Sequence, residues 1–177
     1  MNSVSAALLA APVHAYFYAL QPSHFTWDRY FKVYFLEDGI AGACIARQVY
    51  DLESGYNQLI GPAGLFGGLL KGWVNRLVRQ RYEREAFYDA LEPASREFVR
   101  ADSRNFLLDR LEVRQVAVQS RRALWTGMAS NCGALSIQTR RGRKRLILTG
   151  QQDLEQITSG LIASLSEDKI TIQPIGD

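Results

Sequence analysis

The residues of this chain that could do chemistry are two histidines, two cysteines, scattered serines and two crowds of arginine. His14 and His24 have no cysteine beside them, and their spacing fits no common zinc-ligand pattern. Cys44 and Cys132 are too few for a disulfide framework. Each sits among small or apolar neighbours, where a free thiol behaves as a modest hydrophobe, and a reducing compartment is the expected setting. No serine lies in a Gly-x-Ser-x-Gly elbow, and no acidic pair stands apart from cations that would neutralise it. A phosphate-cradling loop needs Gly-x-x-x-x-Gly-Lys followed by Ser or Thr, whereas here Lys71 precedes Gly72 and Trp73 follows it. The expectation is a protein that is not an enzyme, with no catalytic residues, no metal ligands and no cofactor.

What remains is the chemistry of contact. Gly64, Gly68 and Gly72 recur every fourth residue through an apolar run containing Leu65, Phe66, Leu69 and Trp73, so they share one helical face. Glycine costs about 1 kcal/mol in a helix interior, and three on one face imply a close approach by something. That something is a partner, a second copy, a lipid surface or the chain's own sheet. The run continues into Arg76, Arg79, Arg81 and Arg84, interleaved with Glu83 and Glu85. Local ion pairs, such as Arg81 with Glu85, would make this a solvated face. An interfacial helix would instead set Phe66 and Trp73 at the acyl boundary and the cations toward anionic headgroups.

The second crowd is Arg140, Arg141, Arg143, Lys144 and Arg145, read as one turn around Gly142. Five neighbouring cations repel one another, and a phosphate or carboxylate partner would relieve that, although a solvated hairpin tip has the same composition. The nearest aromatic upstream of this turn is Trp125, too remote to stack on bases there, which makes nucleic acid a minor reading.

Both crowds need elements to carry them. With 177 residues, 47% of them hydrophobic, the chain can fill one core, so one domain with an insertion is expected. The net charge is only +3, so any electrostatic function belongs to the two clusters. Ser5 to Ala11 is small and apolar, and Val13-His14-Ala15 loosely resembles a signal-peptidase site. No Lys or Arg precedes it, and a buried or fraying N-terminal helix is expected instead. The most apolar stretch, Leu59 to Val78, contains Pro62, Lys71, Asn75 and Arg76 and does not read as a membrane span.

From Trp27 the pattern alternates: Phe31, Val33 and Phe35 against Tyr30, Lys32 and Tyr34, then Asp38-Gly39, then Ile40 to Tyr50, which predicts a β-hairpin. A helix should run from Pro62 to about Ala90, and Pro93 should open a short second one through Arg100. Val113 and the Val116, Val118 pair are out of phase, as a β-bulge would make them. Leu124-Trp125-Thr126 and a Gly127 to Gly133 turn follow. Leu135, Ile137 and Thr139 then alternate, and Leu146-Ile147-Leu148 returns. Leu154, Ile157, Leu161, Ile162 and Leu165 form a helical stripe behind Gly150.

Strands, then a charged hairpin running Leu135-x-Ile137 to Leu146-Ile147-Leu148, then an amphipathic C-terminal helix: this order resembles the second half of bacterial pleckstrin-homology-like domains, including GRAM-type ones. Phe106 to Glu112 is similar to the lead-in strand of such domains, and the likeness spans roughly Tyr30 to Leu165. It implies an α+β fold: a bent antiparallel sheet or partial barrel, closed at one end by the C-terminal helix. Residues 1–26 would form an N-terminal apolar arm, and 27–177 the domain, with a helical insertion over 62–100. Lipid-binding members hold the headgroup in an early basic hairpin, whereas this one comes late. The function expected is an interaction module in the cytoplasm or at the inner membrane face. It would use Gly64, Phe66, Gly68, Gly72, Trp73, Arg76 and Arg79, with Arg140, Arg141, Arg143, Lys144 and Arg145, to dock on a partner protein or an anionic membrane. The alternative is a structural subunit whose glycine ladder is the oligomer interface.

Overall fold

Glu37 and Asp38 make the turn of the expected hairpin, between strand β2, Arg29–Leu36, and strand β3, Gly39–Ala46. The computed structural model describes residues 15–23, 28–46, 67–120 and 131–173. The proposed N-terminal helix, Trp27 and the Leu124-Trp125-Thr126 segment lie outside them. The remaining strands are β1, Tyr16–Gln21; β4, Phe106–Asp109; β5, Val113–Gln119; β6, Asn131–Thr139; β7, Gly142–Thr149; and β8, Ile170–Gln173. Among the described residues three α-helices accompany them: α1, Gly67–Asp89; α2, Arg96–Ala101; and α3, Leu154–Leu165. The fold is α+β, with all eight strands in one sheet ordered β4-β3-β2-β1-β7-β6-β5-β8.

Two expectations about the sheet need correction. It is mixed rather than antiparallel, because β8 runs parallel to β5, from Val116 opposite Ile170 to Gln119 opposite Gln173. The cause is α3: a helix between β7 and β8 carries the chain back, so β8 repeats the direction of β7 and hence of β5. The sheet is also open rather than closed, with β4 and β8 as its outermost strands.

Strand β1 comes from the segment taken for an apolar arm, yet it lies at the centre of the sheet. Its pairing with β2 runs from Tyr16 opposite Tyr34 to Gln21 opposite Arg29, while its other edge meets β7 at Ala19 and Leu20. Past that short ladder a side chain takes over. The Tyr18 N–H donates to Gln152 Oε1 at 2.7 Å, and Gln152 Nε2 donates to the Tyr18 carbonyl at 2.7 Å. The Gln152 amide thus imitates a further backbone partner.

The sheet buries both faces of its first half. On the inner face Phe17, Phe31, Val33, Leu146 and Leu148 meet Ile157, Leu161 and Leu165 of α3, the predicted stripe. Asp153 caps that helix by accepting from the N–H groups of Glu155 and Gln156. On the outer face Tyr30, Tyr34 and Ile45 meet Tyr88 of α1 and Phe98 of α2. Asn105 is buried between these layers. It accepts from the Cys44 N–H at 2.9 Å and donates to the Phe98 carbonyl at 2.7 Å and the Tyr88 hydroxyl at 3.1 Å.

The bulge expected in β5 is present, as a register shift between Val113 and Gln115. Ser95, not Pro93, opens α2, its hydroxyl accepting from the Phe98 N–H. The expected Gly127 to Gly133 turn is overturned at its end, since Asn131 to Gly133 already belong to β6 and residues 127–130 lie outside the described ones. Gly133 sits at φ 155° against β5, where a Cβ would overlap the Gln119 carbonyl oxygen.

Candidate interaction surface

The described anchor of helix α1 lies in its C-terminal half. Arg81, Arg84, Glu85, Tyr88 and Asp89 recur at three- and four-residue intervals and so face one way. Opposite them stands Lys32, on the outer face of β2 and only 3% exposed. Its Nζ lies 3.0 Å from Glu85, 2.8 Å from Asp89 and 3.9 Å above the Tyr16 ring. The Tyr18 hydroxyl donates to Glu85, and the Tyr34 hydroxyl to Asp89 at 2.8 Å. Burial, reinforced by the neighbouring carboxylates, raises both phenols far above the ordinary tyrosine value, so they stay protonated donors. Burial alone would lower the Lys32 ammonium. Its hydrogen bonds to Asp89 and Glu85 outweigh that and hold it above the usual lysine value.

Two further contacts complete the anchor. Arg81 lies 4.6 Å from the centre of the Tyr30 ring, which stacks on Tyr18 with centroids 5.8 Å apart. Arg84 pairs at 2.6 Å with Asp102, the residue that ends α2, and Asp102 also binds Arg104. Burial would raise the Asp102 carboxyl, but the bonds from Arg104 and Arg84 pull it well below the carboxylate range. Glu85, expected beside Arg81 in a helix-surface pair, faces the buried Lys32 instead.

The N-terminal half of α1 presents a different surface. Gly72 is exposed, and a Cβ built there would meet nothing within 4 Å. Asn75, Arg76 and Arg79 are exposed as well, and Arg79 pairs along the helix with Glu83 at 3.0 Å. Gly68 lies in the first turns of the same helix. Gly64 and Phe66 lie outside the described residues, and so does the side chain of Trp73. The glycine face at Gly72 is therefore not packed on any described part of the sheet. No described helix is long and apolar enough to cross a membrane.

The basic turn is not one cluster. Arg140 and Arg141 form the turn, and β7 begins at Gly142, so strand alternation separates the other three cations. Arg143 and Arg145 face outward, with Arg143 Nε donating to Ser136 Oγ at 2.6 Å. Arg141 pairs with Glu112 at 3.1 Å. Lys144 points to the inner face, its Nζ 4.3 Å from the centre of the Phe106 ring. Four of the cations are exposed and Lys144 is partly buried, which corrects the expectation that all five lie in one turn. Placing the turn at Arg140-Arg141 rather than at Gly142 would have shown this from the sequence.

The outer face of β5, β6 and β8 carries no helix in the described structure and is polar, a feature the sequence reading missed. Gln115 donates to Thr171 at 3.1 Å and Gln119 to Gln173 at 2.7 Å, so glutamine side chains of β5 bridge to β8. A groove of about 630 Å³ opens there, with Gln115, Ser136, Gln138 and Gln173 along it and Arg140, Arg141 and Arg143 at one rim. Cys44 is buried, which raises its thiol pKa and keeps it unreactive. No family model matches this chain, and comparison with curated proteins and with solved structures finds no match.

Proposed function

We propose that the protein is a non-enzymatic interaction module that presents the N-terminal half of α1, and secondarily the arginines of the β6–β7 hairpin, to a protein partner or an anionic membrane surface. Support comes from the division of α1. Its C-terminal half is clamped by Lys32, Asp102 and the tyrosines, while Gly72 opens onto free space beside exposed Arg76 and Arg79. A clamped helix loses little further entropy on docking, which favours a rigid presenting surface. The pleckstrin-homology-like reading belongs to this proposal, supported by the order of strands and helices and by α3 packed on the inner face of the sheet. Open space at Gly72 also favours the alternative, a structural subunit whose glycine face is an interface between copies.

Gly72→Leu tests both. Leucine gains about 0.8 kcal/mol of helix propensity over glycine, so the melting temperature should hold or rise while docking is lost. Sedimentation velocity would report self-association, and flotation with phosphatidylglycerol vesicles would report membrane docking. Arg140→Ser with Arg145→Ser should weaken only the vesicle binding, and salt should weaken it further. An unchanged assembly state and unchanged vesicle binding in Gly72→Leu would sink the helix-docking proposal.

A further inference from the structure

Lys144 is one of four lysines in the chain. Lys32 is paired with two carboxylates, and Lys169 donates to the Arg110 carbonyl. Lys144 has no acidic partner among the described residues, although burial holds its ammonium below the usual lysine range and nearby Arg29 pushes the same way. It rests between rings instead, 4.3 Å from the centre of Phe106 and 5.9 Å from that of Phe31. Phe106 reaches that position because it lies flat over Gly42, where any side chain would occupy the same space.

This amine lines a cleft of about 520 Å³ at the open seam of the sheet, between β4 and the start of β7. Phe106, Leu108 and Val99 contribute apolar wall. Gln21 stands in the same cleft, and its Oε1 is buried with no hydrogen-bond partner. A cleft of this size suits a small molecule, and an ammonium on an aromatic floor with a carbonyl acceptor in the same lining suits a ligand that carries both an anionic group and an apolar skeleton.

We propose that the cleft binds a small apolar carboxylic acid, its carboxylate paired with Lys144, its carbon skeleton lying on Phe106, and Gln21 free to accept from a hydroxyl or amide of the ligand. A monocarboxylate fits better than a phosphate dianion, because the Glu112 carboxylate also lines the cleft and repels a second negative charge, and it already engages Arg141. The site is independent of the surface on α1.

Naphthoate serves as the probe, with naphthylmethanol as its neutral counterpart and naphthyl phosphate as the competing anion. Titration calorimetry should show saturable naphthoate binding that weakens about tenfold or more in Lys144→Met, the loss of one hydrogen bond to a charged group. Naphthylmethanol should bind both proteins alike. On the unaltered chain, naphthoate should slow acetylation of Lys144, followed by mass spectrometry, and leave Lys32 and Lys169 unaffected. Absence of saturable binding, equal affinity in Lys144→Met, or unaltered acetylation of Lys144 would overturn the site. Tighter binding of naphthyl phosphate than of naphthoate would overturn the carboxylate assignment. If Lys144→Met does not fold, protection from acetylation decides alone.

Discussion

Gly42 and Phe106 share one volume: the ring of Phe106 on β4 occupies the space that a side chain at position 42 of β3 would need. The missing Cβ seats the ring on the sheet, 5.3 Å from Phe31 and beneath Lys144. Gly42→Ala should therefore cost about 1 to 3 kcal/mol by overpacking, where an alanine in an open strand would cost nothing. Phe106→Leu in the same chain should recover part of that loss. Urea denaturation of the single and double variants checks this, and a fully stable Gly42→Ala would mean the ring moves aside freely.

Lys32 anchors α1 by charge. Its side chain is 4% exposed and that of Glu85 13%, so neither charge has water as a substitute partner. Lys32→Met should destabilise the fold by about 3 to 5 kcal/mol, because the largely buried Glu85 carboxylate loses its ammonium partner and keeps the Tyr18 hydroxyl. Adding Glu85→Gln should return a good part of it. A double-mutant cycle in urea gives the coupling, and additive losses would show that the two residues do not act as a pair.

Asp102 should impose an acid dependence on stability. Its carboxyl lies lower in the folded chain than in the unfolded one, through Arg104 and Arg84. The stabilisation is then complete above the ordinary carboxylate range, near pH 4, and is lost as pH falls from there toward the folded value. Asp102→Asn should cost about 2 kcal/mol at neutral pH, discounted for the partial solvation of Arg84, and the gap from the unaltered protein should close below about pH 4. Melting temperatures of both proteins across that range would reveal it, and a gap that does not vary with pH would count against the ion triad.

The legible parts of this fold are those set by neighbours in sequence. The Asp38-Gly39 hairpin, the phase break at Val113 and the stripe of α3 all follow from local periodicity. Strand β1 was not legible, because Tyr16–Gln21 is covered on both faces over most of its length and shows no alternation to read. Lys32 misleads for a related reason. It holds the polar phase of β2, which predicts solvent, yet residues 53 and 57 positions away cover it. Gly68 and Gly72 were legible as helical, but only packing shows that Gly72 is uncovered. The Lys144 cleft was hidden by a shift of the turn by one or two residues, enough to send every side chain of a strand to the other face.

The amide of Gln152 closes the second edge of β1 across 134 residues of chain. On a ribosome, the β1–β2–β3 meander is made well before β7, the strand that flanks it. At typical synthesis rates that interval is on the order of ten seconds. Throughout it the nascent protein displays a strand of unmet N–H and C=O groups, a template for pairing with any neighbouring nascent chain. Messages translated by closely spaced ribosomes therefore expose this protein to mispairing until β7 has been made.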